Sequence, residues 1–338
     1  MDWFERLTGF PERDYESTRA LLDFSNGRLT SRVNGQSHRI GHLEVPTLAK
    51  LRERAKAGAG ATGSMKVGIV TGDVGALHRQ PEFAGALFQV ASQFNLLEMT
   101  SPRVTPEDGV TRYRNDPTQG PACAIAAGAA TIYRNYGVVM KDGVGQTRTR
   151  QIDALSGVGD WIVRRIGGKV FDLWSMENGY AMCRRTGLSA INDLLSQLSP
   201  VEQDELRGQL AIGLHWDVEV TARDSPRQVV SQAFCSALPV AYGAHLAPAH
   251  DWEAFARLIL EASYEATLWA AVENARKGAS NIVLLTRVGG GAFGNADEWI
   301  DDSILRALRL TQDFDLDVRM VCYGRPAAHV VALCKKFG

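Results

Sequence analysis

The sequence has few features that would tie it to a membrane or to a nucleic acid. No apolar run reaches the roughly 18 residues of a membrane-spanning helix, and the opening MDWFERLTGF lacks the basic and apolar regions of an export signal. The 37 basic and 38 acidic residues give a formal net charge of -1, so no positive excess favours nucleic acid. We therefore expect no membrane partner, no nucleic-acid partner and a cytoplasmic location.

The chain also lacks the residue spacings of a metal site. Its five cysteines form no CxxC pair, and no histidine stands at zinc-ligand spacing from them. They lie in apolar contexts, which indicates reduced thiols within the core. We expect no metal site and no cofactor. The cysteines are Cys123, Cys183, Cys235, Cys322 and Cys334.

The length and local composition predict the organisation of the chain. With 338 residues, it could form about two domains of ~150 residues or one large domain. Residues 1–56 are predicted to be an N-terminal extension, with a β-hairpin turning at Asn34-Gly35 and then a helix. The low-complexity segment 57–64 is a linker or loop. Residues 65–338 follow as the main domain, with a helical insertion at about 141–205.

After residue 65 the pattern alternates between strands and helices. Apolar runs at 66–73, 209–221 and 316–324 are typical of strands, whereas 252–278 has the spacing of a long amphipathic helix. Alternation of this kind predicts an α/β fold, a three-layer α/β/α sandwich around a mixed sheet. Ligands of such sheets bind beyond the carboxyl ends of the strands.

A glycine-rich loop, VGGGAFGN, follows the apolar run NIVLLTR and precedes a predicted helix. Residues without side chains let backbone N–H groups converge on an anion, and the helix end adds its dipole. The loop matches neither a Walker loop nor the spaced dinucleotide fingerprint. It therefore predicts a diphosphate site, with a tight turn as the alternative. The residues concerned are Gly289, Gly290, Gly291, Ala292, Phe293, Gly294 and Asn295.

Polar residues follow two other predicted strands. Asp73 ends the first, where it could accept a hydrogen bond from an amine or simply form a turn. Asn95 and Glu98 follow the second. A long polar loop then leads through Gln119 and Gly120 into an alanine-rich helix, and loops of this length are commonly functional. Its acidic residues are Glu107, Asp108 and Asp116.

Taken in order, these segments resemble the macrodomains, a family that binds ADP-ribose. The resemblance runs over about residues 66–324 as separate motifs. They are VTGDV, QVASQFN, TQGPACAIAAGA, VVSQAFCSALP, YEATLWAAVENARKGASNIVLLTRVGGGAFGN and DVRMVCYG. Within the family, GGGAFG is especially similar to the phosphate loop of poly(ADP-ribose) glycohydrolases.

The resemblance implies a role for each motif. Asp73 would contact adenine, with Val74 beside it in the ligand site. Asn95 and Phe293 would lie at the distal ribose, and the glycine loop would wrap the diphosphate. Tyr323, after the last strand, would stack on adenine. Glu98, Gln119 and Gly120 would also line the ligand site.

The sequence departs from the glycohydrolases at one motif. It lacks their Gln-Glu-Glu run, and the loop with Asp108 and Asp116 is more similar to effector-type macrodomain hydrolases that remove ADP-ribose from arginine of ubiquitin. The resemblance therefore implies an ADP-ribosyl hydrolase of the N-glycosidase type, with Asp116, Asp108 and Glu107 as catalytic candidates. Its expected partners are ADP-ribose and an ADP-ribosylated protein, with ubiquitin as one carrier.

Three alternatives stay open at this stage. A non-catalytic ADP-ribose reader would use the same loops without the carboxylates. A poly(ADP-ribose) glycohydrolase would cleave the polymer. An unrelated α/β protein could bind another phosphorylated metabolite in the glycine loop.

Overall fold

The computed structural model describes residues 1–58, 62–222 and 227–337. Residues 59–61 of the predicted linker, and residue 338 at the end of the predicted main domain, lie outside the described residues. The strands are β1 Leu22–Ser25, β2 Arg28–Ser31, β3 Ser37–Arg39, β4 His42–Glu44, β5 Lys66–Thr71, β6 Leu87–Ala91, β7 Val139–Met140, β8 Gly143–Val144, β9 Trp174–Glu177, β10 Tyr180–Cys183, β11 Gly213–Glu219, β12 Val229–Cys235, β13 Ile282–Leu285 and β14 Asp317–Cys322.

The helices are numbered in the same way. They are α1 Trp3–Thr8, α2 Tyr15–Ala20, α3 Leu48–Ala57, α4 Val74–Leu77, α5 Gln119–Ala126, α6 Gly128–Ile132, α7 Ser156–Ile166, α8 Val170–Leu173, α9 Arg185–Gln197, α10 Pro200–Gly208, α11 Ala249–Arg276, α12 Asp297–Leu310 and α13 Ala328–Cys334. Short 3₁₀ turns lie at Pro81–Phe83, Pro106–Asp108 and Thr111–Asn115, and a π turn at Tyr133–Gly137. In the described part of the chain, no helix is both long and apolar enough to cross a membrane.

A seven-stranded mixed sheet has the order β4-β11-β12-β6-β13-β14-β5. From β12 to β5 every neighbouring pair is parallel, whereas β11 pairs antiparallel with both β12 and β4. The central strands are apolar and buried, as expected for strands covered on both faces. Because all strands of this sheet except β11 point the same way, the loops that follow them meet at one edge of the sheet. We call this the carboxyl edge.

Helices cover both faces of the sheet. Gln89 of β6 points to one face, where its side chain donates to Thr267 Oγ1 of α11 at 2.9 Å. Phe88, the preceding residue, points to the other face and stacks on His78 with ring centroids 3.7 Å apart. Helix α11 packs with α3 and α12, whereas α5 contacts α4 and β6. The predicted three-layer α/β/α fold with a mixed sheet is confirmed.

The N-terminal extension contributes one strand to the same sheet, whereas its strands β1, β2 and β3 form a separate three-stranded sheet. Strand β4 pairs with β11 and forms one edge, and α3 packs on α11. Covering β11 in this way removes an exposed row of backbone donors and acceptors. The last part of residues 1–56, predicted as an extension before the main domain, therefore completes the sheet of that domain.

The predicted hairpin is present, but its tight turn lies elsewhere. Strands β2 and β3 pair antiparallel around Asn34-Gly35, through a loop in which Gly35 has φ 68°. The two-residue Asn-Gly turn instead joins β1 to β2, with φ 51° at Asn26 and 70° at Gly27. Positive φ at both central residues is what such a turn needs.

The insertion at about 141–205 is more than helical. Besides α7, α8, α9 and α10 it contains a hairpin, β9 and β10, which alternation in the sequence did not indicate. The turn of this hairpin reaches the carboxyl edge, where Phe94 N donates to Gly179 O at 3.0 Å. The insertion therefore contributes to the surroundings of the loop after β6.

Candidate active site

A cleft opens at the carboxyl edge of the sheet. It encloses about 740 Å³ of space, with the open solvent at its mouth included. One wall is the loop after β6 with Glu98, and beside it lies the start of α5 with Gly120. The opposite wall is the glycine loop after β13, and Tyr180 of β10 completes the enclosure.

The loop after β6 is held by side chains on both sides of Glu98. Glu98 N donates to Tyr113 Oη at 3.1 Å, and Met99 N donates to Gln93 Oε1 at 2.6 Å. Tyr180 Oη in turn donates to Met99 O at 2.6 Å. A carboxyl group on a loop restrained in this way has a fixed position relative to a ligand.

Among the acids that line the cleft, Glu98 has the most strongly shifted pKa. It is 2% exposed, and its Oε1 has no hydrogen-bond partner among the described residues. A Cβ at Gly120 would lie 2.8 Å from Glu98 Oε2, so the glycine makes room for the carboxyl. Burial raises the pKa of Glu98 to about 8, the charge of Arg134 opposes that rise, and Asp116 adds to it. Glu98 is therefore largely protonated at neutral pH.

This protonation predicts a pH-dependent stability. The folded protein keeps the Glu98 proton up to about pH 8, whereas the unfolded chain loses it near 4.5. Between these values the unfolded state binds fewer protons, so this group lowers the free energy of unfolding by about 1.4 kcal/mol for each pH unit of rise. Glu98→Gln should remove this contribution. Denaturant unfolding from pH 5 to 8 measures the two slopes, and equal slopes would contradict the assignment.

Asp116 is the second acid of the cleft and differs from Glu98 in exposure. It lies just before α5, is half-buried, and its Oδ1 accepts a hydrogen bond from Thr118 N at 2.9 Å. Two carboxyl groups with different environments at one cleft are typical of acid and base pairs. Asp116, a catalytic candidate from the sequence, therefore lies in the cleft beside the unanticipated acid Glu98.

Asp108 and Glu107, the other two catalytic candidates, do not line the cleft. Asp108 Oδ2 accepts from Thr105 N at 2.8 Å and caps the 3₁₀ turn, while its other oxygen lies 3.6 Å from Arg112. Glu107 accepts from Arg148 N at 2.8 Å. Both carboxylates stabilise the loop because they bond to its own backbone or to a neighbouring loop, and their catalytic role stays a prediction from the sequence.

Glu12, from the N-terminal extension, anchors the loop that carries Asp116. Its carboxylate accepts from Val110 N at 2.9 Å, from Thr111 N at 2.6 Å and from Tyr136 Oη at 2.8 Å. Bonds to an ionised acceptor are among the stronger hydrogen bonds in proteins. The extension therefore holds part of the cleft in place, a role that its sequence did not indicate.

We expect Glu12→Ala to lower both stability and any activity of the cleft. Loss of the carboxylate leaves its backbone donors and a tyrosine unpaired, which should cost about 2–3 kcal/mol of unfolding free energy. Displacement of the Asp116 loop should lower turnover at least about tenfold. Denaturant unfolding and a turnover assay measure these effects. Glu16→Ala, at an exposed site in α2, is the matched control, and identical behaviour of the two variants would contradict the role of Glu12.

Two glycines determine the path of the glycine loop. Gly289 has φ 79° and Gly294 has φ 71°, conformations that residues with a side chain rarely adopt. A Cβ at Gly289 would lie 2.5 Å from Ala237 Cβ, and one at Gly294 would lie 2.8 Å from Ala241 Cβ. The loop after β13 therefore depends on glycine at these positions for both backbone and packing reasons.

Asn295 closes the loop on itself. Its N–H donates to Gly289 O at 2.9 Å and its Nδ2 donates to Leu238 O at 2.9 Å, while Gly290 N donates to Arg287 O. Gly290, Gly294 and Asn295 do not line the cleft. These three residues hold the loop in shape, and their predicted contact with a ligand stays a prediction.

The remaining residues of the loop face the cleft. Gly289, Gly291, Ala292 and Phe293 line it, and their N–H groups have no hydrogen-bond acceptor within the described ranges. Backbone donors grouped in this way form an anion site. The first turn of the following helix already carries Asp297 and Glu298. The loop amides, more than the helix dipole, therefore provide the positive potential.

Three aromatic rings from separate parts of the chain form a further wall. The Phe293 centroid lies 5.2 Å from that of Tyr180 and 5.8 Å from that of Tyr242, and the two tyrosines are 5.2 Å apart. Tyr180 is in the insertion and Tyr242 follows β12. The sequence pointed to Phe293 alone, because no local pattern connects it with the tyrosines.

The adenine candidates lie outside the lining of the cleft, and so does Asn95, one of the two ribose candidates. Asp73 caps α4 by accepting from Ala76 N at 2.8 Å, Val74 is buried beneath it, and Tyr323 is 83% exposed. Asn95 is fully buried, with Nδ2 donating to Gln151 Oε1 at 2.9 Å. Asn95 thus supports the Glu98 loop, and its contact with ribose stays a prediction.

Gln119 lines the cleft, although its amide is used within the protein. Its Nε2 donates to Gln89 O at 2.9 Å and its Oε1 accepts from Ala91 N at 3.0 Å. These bonds fix the start of α5 against the end of β6. Gln119 and Gly120 therefore shape the cleft next to Glu98.

Within the described ranges, no group of three or more histidine, cysteine, aspartate or glutamate side chains is arranged to hold a metal ion. The described cysteines are free thiols. What the cleft offers is thus a buried protonated acid, a half-exposed carboxylate, an amide-lined loop and an aromatic wall.

Comparisons with known proteins gave structural neighbours only. No family model matches the chain, and a search of curated proteins found no match. Among solved structures, poly(ADP-ribose) glycohydrolase from Thermomonospora curvata bound to the inhibitor ADP-HPD is 13% identical over 93% of this chain and 95% of that chain, with a TM-score of 0.45. Another structure of the same enzyme gives 13% identity, the same coverage and a TM-score of 0.46. The enzyme from Deinococcus radiodurans in complex with ADP-ribose is 13% identical over 87% and 92%, with a TM-score of 0.44.

Proposed function

We propose that this chain is an ADP-ribosyl hydrolase, an enzyme that cleaves the glycosidic bond at C1″ of the distal ribose. The observation that carries the proposal is the pairing of Glu98 and Asp116 in one cleft opposite the amides of the glycine loop. Such a cleft combines an acid, a base and a diphosphate site. A reader that only binds ADP-ribose would need the last of these alone.

In the proposed reaction, protonated Glu98 donates its proton to the leaving atom as the bond to C1″ breaks. Asp116, more exposed and facing the same space, takes a proton from the attacking water, whose oxygen bonds to C1″. Water is thereby added across the bond, and solvent exchange restores both carboxyl groups. Two carboxyl groups in these roles are typical of glycoside hydrolysis.

The glycine loop would hold the diphosphate and so position the ribose. The free N–H groups of Gly291, Ala292 and Phe293 are suited to phosphate oxygens, and the Phe293 ring to a sugar face. Asp73 and Tyr323 follow β5 and β14, two strands that pair next to β13. A ligand extending along the edge from the cleft would reach them with its adenine end, so the adenine role remains a proposal for both.

The nature of the leaving group favours an O-glycosidic substrate, as in poly(ADP-ribose). A sugar hydroxyl leaves poorly as an alkoxide and needs the proton that buried Glu98 supplies. The second candidate is ADP-ribose on arginine, with ubiquitin among the carriers. Its specific support is Asp116, whose carboxylate at the cleft could pair with a guanidinium.

Release of ADP-ribose from the two substrates tests the proposal. Wild type, Glu98→Gln and Asp116→Asn are incubated with poly(ADP-ribose) and with an arginine-ADP-ribosylated protein, and free ADP-ribose is quantified. If the wild type turns over one substrate and both variants lose that activity, the result supports the hydrolase and identifies which glycosidic bond it cleaves. Calorimetric binding of ADP-ribose without turnover would support the reader, and absence of binding by folded protein would overturn the ADP-ribose assignment.

A further inference from the structure

We propose that Arg134 is a positioning residue for Glu98. Its guanidinium holds the backbone of the loop after β6 and places a fixed positive charge behind the Glu98 carboxyl. This role deepens the hydrolase function proposed above and rests on it for its catalytic meaning. Arg134 itself contacts neither the cleft nor a ligand in it.

The first observation is the contact with the loop. Arg134 lies in the π turn Tyr133–Gly137, is fully buried, and donates from Nε to Leu96 O at 3.0 Å. Leu96 has φ 63°, an unusual conformation for a residue with a side chain, two positions before Glu98. The bond therefore fixes the loop where its backbone is least favourable. Single π turns within helices often mark functional sites.

The second observation is that the other contacts of the guanidinium are neutral. Nη2 donates to Thr131 Oγ1 at 3.1 Å, Nη1 lies 3.2 Å from His215 Nδ1, and the group stacks on the Phe234 ring at 3.9 Å. Since arginine only donates, His215 Nδ1 accepts and the ring is neutral. Burial lowers the pKa of His215 well below its usual value, which agrees with this tautomer. No carboxylate among the described residues bonds to Arg134.

A buried guanidinium without a bonded carboxylate is costly, because charge loses several kcal/mol of hydration in the interior. Burial lowers the pKa of Arg134 to about 10, so the group remains charged at neutral pH. The charge acts on Glu98, whose own charge favours protonated Arg134 in return. If this position only had to fill space in the core, an apolar side chain would do so at lower cost, so the charge of Arg134 needs another explanation.

The titratable neighbours of Glu98 show which charges influence its ionisation. The titratable groups that interact with it are Arg134 from the π turn, Tyr113 and Asp116 from the loop before α5, Cys123 from α5 and Tyr180 from β10. Burial raises the pKa of both tyrosines and of the thiol, which leaves these three neutral. Asp116 is thus the anion near Glu98 and Arg134 the cation. Removing the cation should make Glu98 harder to ionise.

The test is a titration of Glu98 in the resting full-length chain, which needs no substrate. Carboxyl-carbon NMR of protein labelled at glutamate follows the signal that is missing in Glu98→Gln. We expect Arg134→Met to raise the midpoint by about one pH unit or more, the effect of losing one nearby opposite charge. Arg134→Lys keeps the charge without the planar fork and should shift it less. Arg150→Met is the matched control, since Arg150 also bonds loop carbonyls, at Gly145 and Val144, and should leave the midpoint unchanged.

Activity gives a second readout for Arg134→Met on a substrate that the wild type hydrolyses. The alkaline limb of the kcat/KM profile should move to higher pH together with the Glu98 midpoint. The value of kcat should fall because the loop after β6 is displaced. An unchanged midpoint in folded Arg134→Met would overturn the proposal, even if turnover fell. Should Arg134→Met fail to fold, Arg134→Lys provides the test. A lysine cannot make the three hydrogen bonds of the guanidinium. If both the Glu98 midpoint and kcat were unchanged in this variant, the positioning role would be overturned. A shifted midpoint without turnover on any ADP-ribosyl substrate would uphold the link between Arg134 and Glu98 and count against the hydrolase function.

Discussion

Replacing Glu98 with glutamine is expected to lower kcat for ADP-ribosyl hydrolysis by about 10²–10⁴-fold, the usual effect of losing a general acid. Glutamine keeps the size of the side chain but carries no transferable proton. Because Glu98 is buried and largely protonated, its replacement by a neutral amide leaves the charge of the cleft almost unchanged at neutral pH. Binding of ADP-ribose, measured by calorimetry, should therefore change much less than kcat.

Asp108→Asn is the matched control for this prediction. Asp108 belongs to the same acidic segment that the sequence favoured, but its side chain bonds to Thr105 away from the cleft. We expect this variant to retain wild-type turnover. If Asp108→Asn abolished activity and Glu98→Gln did not, the assignment of the acid would be wrong and the sequence-based choice would stand.

Gly289→Ala should have the second large effect, on both stability and binding. The new methyl group would lie 2.5 Å from Ala237 Cβ in a backbone with φ 79°, so the loop must move. Strain and overlap together predict a loss of about 2–4 kcal/mol in unfolding free energy. Since the displaced amides include those proposed to bind phosphate, affinity for ADP-ribose should fall as well. Denaturant unfolding and calorimetry measure the two losses.

Two other glycines distinguish the effect of backbone strain on stability from the effect of an added methyl group on ligand binding. Gly278 also has positive φ, 75°, but an added Cβ meets open space at the end of α11, so Gly278→Ala should cost about 1 kcal/mol and leave binding intact. A Cβ at Gly291 meets nothing within 4 Å, so Gly291→Ala should keep wild-type stability. A bound diphosphate would occupy the space beside it, and affinity should fall. Full affinity in Gly291→Ala would place the phosphates elsewhere.

The sequence was most informative about elements that carry local signals. Continuous apolar runs predicted β5, β13 and β14, and the spacing of apolar residues predicted α11. Burial on one or both faces of an element produces such a pattern within a short stretch of sequence. The glycine loop was recognised for the same reason, since a run of glycines is rare and physically specific. By contrast, β9 and β10 have only four residues each and lie within an insertion, where no alternation distinguishes them.

The choice of catalytic acid shows where local signals end. Glu107, Asp108 and Asp116 stand together in the sequence and appeared equivalent, yet only Asp116 reaches the cleft. Glu98, in the apolar stretch NLLEM, resembled a ligand contact at most. Its raised pKa depends on burial beneath residues distant in the chain, which no window of sequence contains.

By itself, the sequence determined the layered α/β fold, the position of the glycine loop and the edge of the sheet at which the cleft lies. These follow from hydrophobic periodicity and from backbone freedom at glycine, both of which act over a few residues. Only the tertiary structure decided which carboxyl groups line one cleft, that Glu12 and Tyr180 support that cleft from distant parts of the chain, and that Arg134 bonds to the loop that carries Glu98. Proton affinity and side-chain orientation depend on distances between residues far apart in sequence, and those distances exist only once the chain has folded.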